Sequence, residues 1–321
     1  MNKRIGLAAI VVLVLLMVGY LAMEYYLYTR LTTVNPGASI NLANTPDNFK
    51  VRGGPHVAFD TTAYEMPRYE EVRIPSRQAG VQLAGWYVAG EQSAPAVLLT
   101  HGLGQCKCDS NVLTAAGMLH RNGFNVLLID LRNHGQSDVV NGHAGFGSYE
   151  YQDVLGAWDW LIAQKGFSAR RIGLYGVSMG AATTLIAFAQ EPRAVAAFVD
   201  APFYDVTELL TDELGRNHLP PLLAPGAILA GRFITGDDLL SHNPQEGIRQ
   251  DNGRPIYMVH GMLDNRIDIR HHYEYEALVQ QTGANATSWV VDGAGHVESE
   301  FVAPADYEQR LVDFFQNALE K

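Results

Sequence analysis

The chain has 321 residues, 47% of them hydrophobic and only 18% charged, which provides for a sizeable buried core and excludes a disordered chain. Its formal net charge of -11, with no run of Lys or Arg, argues against a nucleic-acid partner, because phosphate backbones are bound by clustered basic side chains.

The first element is apolar. Residues 5 to 23, "IGLAAIVVLVLLMVGYLAM", carry no charge and are long enough to cross a hydrocarbon core of roughly 30 Å. Lys3 and Arg4 precede the run, and Glu24, Tyr25, Tyr26 and Tyr28 follow it. Basic residues before a span hold the N-terminus in the cytoplasm and tyrosines suit the far interface, so residues 1–23 are expected to be a single-pass anchor with the rest of the chain extracytoplasmic. A cleaved signal peptide is the competing reading; its apolar region is usually shorter, and no small-x-small cleavage site precedes the tyrosines. Residues 24–67 mix Asn, Thr, Pro and Gly without sustained periodicity and are expected to be a stalk, leaving 68–321 as the folded domain.

From Tyr69 the pattern becomes regular. "YEEVRIPS" and "VQLAGWYVAG" predict two strands joined by a short turn. Apolar runs too short for helices follow at 96–101, 125–130, 171–176, 194–200, 255–261 and 288–293, as a parallel sheet covered on both faces requires. Between them, helices are predicted near 110–121, 148–165, 179–190, 269–282 and 305–319. The alternation gives an α/β domain with a mostly parallel eight-stranded sheet flanked by helices. Residues 204–252 break it: "VTELLTDEL" and "PPLLAPGAILAGRF" predict a short helical cap rather than a plain connector. Cys106 and Cys108, in "GQCKCDS", are too few for a disulfide framework or a zinc site, and are expected to be free or loosely paired thiols in a loop.

The chemistry centres on "RIGLYGVSMGAATTL". Gly176, Val177, Ser178, Met179 and Gly180 lie where a strand hands over to a helix, a sharp turn that needs small neighbours and lifts Ser178 above the sheet. A serine hydroxyl becomes a nucleophile only when a base takes its proton and a third group orients that base. Asp264, in "HGMLDNRID", and His296, in "DGAGHVESEF", both follow strand ends downstream; Asp268 is a rival for the acid. "LLTHGLGQ" places His101, Gly102, Leu103 and Gly104 after the first parallel strand, where a backbone N–H could join that of Met179 around an oxyanion.

Taken together, residues 69 to 320 resemble the α/β-hydrolase superfamily, in its serine aminopeptidase-like and acyl-esterase branches. "NVLLIDLRNHGQSD" is similar to the Asp-x-Arg-Gly-His-Gly-x-Ser segment of those branches through Asp130, Arg132, His134, Gly135 and Ser137, with Asn133 in place of Gly. The resemblance implies that this segment is a structural turn, that Ser178, His296 and Asp264 form a triad, and that the Leu103 and Met179 N–H groups form the oxyanion hole. It implies acyl transfer through an acyl-enzyme without metal or organic cofactor, on a small ester, thioester or short peptide. Leu222, Leu223, Ile228 and Leu229 are expected to pack the cap onto the sheet or to line an acyl pocket. An aminopeptidase would need an acidic group for the substrate amine, and Asp205, Glu208, Asp212 and Glu213 are candidates. An inactive, membrane-tethered scaffold is the reading from another class.

Overall fold

The computed structural model describes residues 3–36, 43–51 and 55–320. A long helix, α1 (Lys3–Thr32), precedes the antiparallel pair β1 (Glu70–Pro75) and β2 (Gln82–Val88). Then come β3 (Ala96–Thr100), α2 (Ser110–Arg121), β4 (Asn125–Ile129), α3 (Tyr151–Lys165), β5 (Ile172–Val177), α4 (Met179–Gln190) and β6 (Ala197–Asp200). The cap carries α5 (Val206–Arg216), α6 (Ala224–Ala230) and the single turn α7 (Glu246–Arg249). Last are β7 (Ile256–Gly261), α8 (Arg270–Thr282), β8 (Ala286–Val291), α9 (Ser299–Val302) and α10 (Pro304–Ala318).

The eight strands form one sheet in the order β1-β2-β4-β3-β5-β6-β7-β8, parallel from β4 to β8. This is the α/β-hydrolase fold. Strand residues point alternately to its two faces, and the core divides accordingly. Val97, Leu99, Val126 and Leu128 join Val112, Leu119, Tyr307 and Phe315 of α2 and α10 on one side. Leu98, Leu127 and Ile129 join Val154, Trp158, Leu185 and Tyr275 of α3, α4 and α8 on the other. Helices on both faces are why these strands are apolar throughout.

The stalk expectation needs correction. α1 continues nine residues past Met23, and Glu24, Leu27, Tyr28 and Thr32 are buried on one face of it. Tyr28 donates a hydrogen bond to Asp237 of the cap, and Thr32 Oγ1 lies 2.9 Å from His143 Nδ1. Gly226 and Gly231 let the cap approach closely: a Cβ there would meet the Glu24 carboxylate and the Tyr28 ring. Further along, Phe49, Val51, Tyr64 and Met66 are buried in the domain, while residues 37–42 and 52–54 of the expected stalk lie outside the described residues. The stretch Ile10–Thr32 is long and apolar enough to cross a membrane, and its residues before Glu24 stand clear of the domain.

Candidate active site

The sheet order explains how distant loops meet. β3 and β5 are neighbours, with Thr100 opposite Gly176, so the loop after β3 lies against the turn after β5. β7 and β8 are neighbours, with Gly261 opposite Val291, so Asp264 and His296 leave adjacent strand ends. A Cβ on Gly261 would lie 2.3 Å from the Gly295 carbonyl oxygen, so the histidine loop passes directly over that strand end.

Ser178 sits between β5 and α4 at φ 54° and ψ -122°, a backbone conformation that L residues rarely adopt. Its N–H donates to the Asp200 carbonyl at 2.8 Å. Neither flanking glycine has room for a side chain: a Cβ on Gly176 would lie 2.3 Å from the Gly180 carbonyl oxygen, and one on Gly180 2.4 Å from that of His101. His296 Nε2 is 2.9 Å from Ser178 Oγ, and His296 Nδ1 is 2.8 Å from Asp264 Oδ2. Asp268, the rival acid, instead accepts the Arg270 N–H at 2.9 Å at the start of α8.

Asp264 is held from several sides. Its Oδ1 accepts the Arg266 and Ile267 N–H groups at 2.8 Å each. His260, buried in β7, brings Nε2 to 3.3 Å from Oδ2 and 2.9 Å from the Ile267 carbonyl. Burial alone would raise the Asp264 pKa, but the hydrogen bonds from His260 and His296 outweigh it and hold the carboxyl well below the usual range. Burial likewise works against a charged His260, and the Asp264 hydrogen bond and charge reverse that, leaving its pKa raised. The acid therefore stays ionised beside the imidazole it orients.

The histidine loop is gripped from α2: Asn111 Nδ2 donates to the Val297 carbonyl and, at 2.6 Å, to Glu300 Oε1. Val297, like Ser178 and Phe146, has positive φ, and all three line one cavity of about 450 Å³. Leu103 and Met179 line it too, with Phe203, Leu209, Ile267 and His296. Met179 opens α4, where leading N–H groups have no carbonyl a turn back to bind. The arrangement can deprotonate a hydroxyl at the cavity floor and receive an anion beside it.

The β3–α2 loop departs from expectation at the cysteines. Cys106 and Cys108 are joined in a disulfide, both buried; a turn closed by Asp109 N–H on the Cys106 carbonyl brings their Cα atoms to 5.0 Å. Lys107 between them is buried as well, with Nζ 2.7 Å from Asp130 Oδ2 and 4.6 Å from the Trp86 ring centroid. The Asp130–Ser137 segment is structural: His134 Nδ1 lies 2.8 Å from the Arg132 carbonyl, and Arg132 forms an ion pair with Asp153. Asn133 takes up φ 62°, which asparagine tolerates, and its Oδ1 accepts the N–H groups of Val140, Asn141 and Gly142.

None of Leu222, Leu223, Ile228 and Leu229 lines the cavity: Ile228 is buried, Leu223 half-buried, and Leu222 and Leu229 exposed. Of the four acids, only Glu213 does, and Arg216 and Arg266 both pair with it at 2.9 Å. Asp205 caps α5, while Asp212 pairs with Arg270 and lies 3.2 Å from His271. Among the described residues, Glu208, His271 and Glu274 bring potential metal ligands within 4.8 Å of one another. Both nitrogens of that imidazole are engaged, by the Tyr204 N–H and by Asp212.

Residues 111–321 match the sequence model of the prolyl oligopeptidase family. The chain belongs to that family. The matched region carries Ser178, Asp264 and His296, while Leu103 lies ahead of it. An uncharacterised protein of Mycobacterium tuberculosis strain H37Rv is 30% identical over 70% of this chain and 72% of its own length. A thiohydrolase of Aspergillus aculeatus is 30% identical over 43% of this chain, but over only 44% of that enzyme. An esterase of Pyrococcus furiosus superposes with a TM-score of 0.65 at 21% identity, over 90% of this chain and 99% of its own, a likeness of fold. This prolyl oligopeptidase family member thus comes from a family of hydrolases. His260 and Asn111 had gone unread in the sequence; the one available signal was a histidine four residues before the acid, in "HGMLD".

Proposed function

We propose that the chain is a membrane-tethered serine hydrolase that cleaves carboxylic esters or thioesters through an acyl-enzyme. The observation that carries this is the unbroken hydrogen-bonded chain Ser178–His296–Asp264 at the floor of a cavity. Ser178 Oγ attacks the substrate carbonyl as its proton passes to His296 Nε2, and the Leu103 and Met179 N–H groups receive the oxyanion. His296 then delivers the proton to the departing alcohol or thiol; water, deprotonated by the same imidazole, releases the acid and restores Ser178. Asp264 fixes the imidazole and supports its positive form. All three members in contact favour an enzyme over an inactive scaffold.

The cavity favours an ester over a free amine. Two acids line it: two guanidinium groups share the Glu213 carboxylate, and Asp109 caps α2 through the Asn111 N–H, so neither is well placed to bind an ammonium. Phe146, Phe203, Leu209 and Ile267 provide apolar surface for an acyl chain. For location, α1 is read as the anchor, with the hydrolase domain outside the cytoplasm.

The test is turnover by the detergent-solubilised full chain of p-nitrophenyl esters and an acyl thioester against aminoacyl-p-nitroanilides. Esters and thioesters are expected to be cleaved and the anilides left intact; faster turnover of the anilides would assign a peptidase. A phosphatase fused after residue 321 should be active in a bacterial host, and an inactive fusion would reverse the topology.

A further inference from the structure

The cap and α1 form one unit. The Glu24 carboxylate fills the space beside Gly226, and the Tyr28 ring the space beside Gly231, so the cap segment Pro221–Thr235 runs alongside α1 in the same direction. Its beginning therefore points toward the apolar, free-standing half of α1. Leu222, four residues before Gly226, lies about 6 Å further toward that half at a helical rise of 1.5 Å per residue. This is the level of Tyr20, which is exposed on α1 four residues before Glu24.

Leu222 is 78% exposed and Leu219 is also solvent-facing, in the turn "HLPPLL" that joins α5 to α6. Singly such leucines would be ordinary; beside the exposed apolar half of α1 they extend one apolar surface, the kind that marks membrane interaction sites. The same turn adjoins the catalytic cavity. Leu209 and Glu213 of α5 line that cavity, and the Leu219 N–H bonds back to the Leu214 carbonyl at 2.9 Å. Arg216 reaches the carbonyls of Asn265 and Arg266, on the loop that carries Asp264 and the exposed Leu263.

We propose that the His218–Leu223 turn inserts into the surface of the bilayer that α1 crosses, and that the enzyme draws its substrate from that bilayer as a membrane-partitioned acyl ester. This rests on the hydrolase and anchor readings above and adds to them a substrate source. The continuity of the exposed leucines with α1 singles out lipid as the occupant.

The experiment places the full chain in phosphatidylcholine vesicles with and without brominated acyl chains. Leu222→Trp is expected to add emission that brominated lipid quenches; Phe233→Trp, equally exposed but about 16 Å further along the segment, is expected to add emission that is not quenched. No quenching at position 222 beyond that of the native chain overturns the proposal. In the second arm, Leu219→Ser with Leu222→Glu is expected to lower hydrolysis of vesicle-embedded p-nitrophenyl palmitate about tenfold, with soluble p-nitrophenyl butyrate unchanged. Equal rates on the embedded ester would overturn the substrate source. A chain that fails to float with the vesicles removes the anchor reading and this proposal with it. Quenching without turnover of either ester upholds the docking and removes the hydrolase reading.

Discussion

At the elbow, a methyl group on Gly180 would come within 2.4 Å of the His101 carbonyl oxygen; on Gly215 in α5 of the cap it would meet nothing within 4 Å. The first region is packed backbone against backbone, with Ser178 in a strained φ that the neighbouring strands hold in place. The second presents Leu222, Leu229, Phe233 and Ile234 to its surroundings. On the proposed reading, the reaction is set by tightly packed positions, and the substrate's route by exposed ones.

The largest effect should come from breaking the elbow's chemistry. Asp264→Asn removes the charge that both His260 and His296 face, and should lower kcat/KM for esters by about 10⁴-fold, on the order of 5 kcal/mol. A loss below tenfold would point to another acid. Next comes the backbone: Gly180→Ala should destabilise the domain by about 3 kcal/mol, read from urea midpoints, because neither His101 nor Thr100 can yield.

Asp200 tests the buried layer beneath the elbow. Burial pushes its pKa up to about 6, against the lowering influence of His260. The unfolded value is near 4, so between about pH 4 and 6 the folded form binds more protons and stability falls as pH rises. Asp200→Asn should match the native chain near pH 4 and exceed its stability by on the order of 2 kcal/mol at pH 7; parallel curves would show that the carboxyl is not perturbed. The smallest effect belongs to the cap, where Gly215→Ala should stabilise by roughly 0.5 kcal/mol, since an exposed helical glycine loses only entropy on folding. Opposite signs for Gly180→Ala and Gly215→Ala would sharpen the contrast; equal signs would break it.

Much of this was legible because local pattern and function coincide. Apolar runs too short for helices marked β3 to β8, and Ser178, Asp264 and His296 stand in the turns after strand ends, which the structure brings together. The rest depended on tertiary contact. Glu24, Leu27, Tyr28, Leu31 and Thr32 repeat at helical spacing, a sign that α1 continues, but tyrosines and charges masked it until the cap was there to cover that face. The Cys106–Cys108 bridge depended on a turn that spacing alone does not reveal. Asn133 could replace glycine because its amide organises the next loop. His260 was hidden because a histidine inside an apolar strand looks like core until its carboxylate partner is located.

The central claim is that Ser178 is the acylated nucleophile. The direct measurement is mass spectrometry of the full chain after reaction with a fluorophosphonate probe. One adduct on the peptide containing Ser178 is expected, absent in Ser178→Ala. An adduct that persists in that variant, or sits on another residue, would contradict the account.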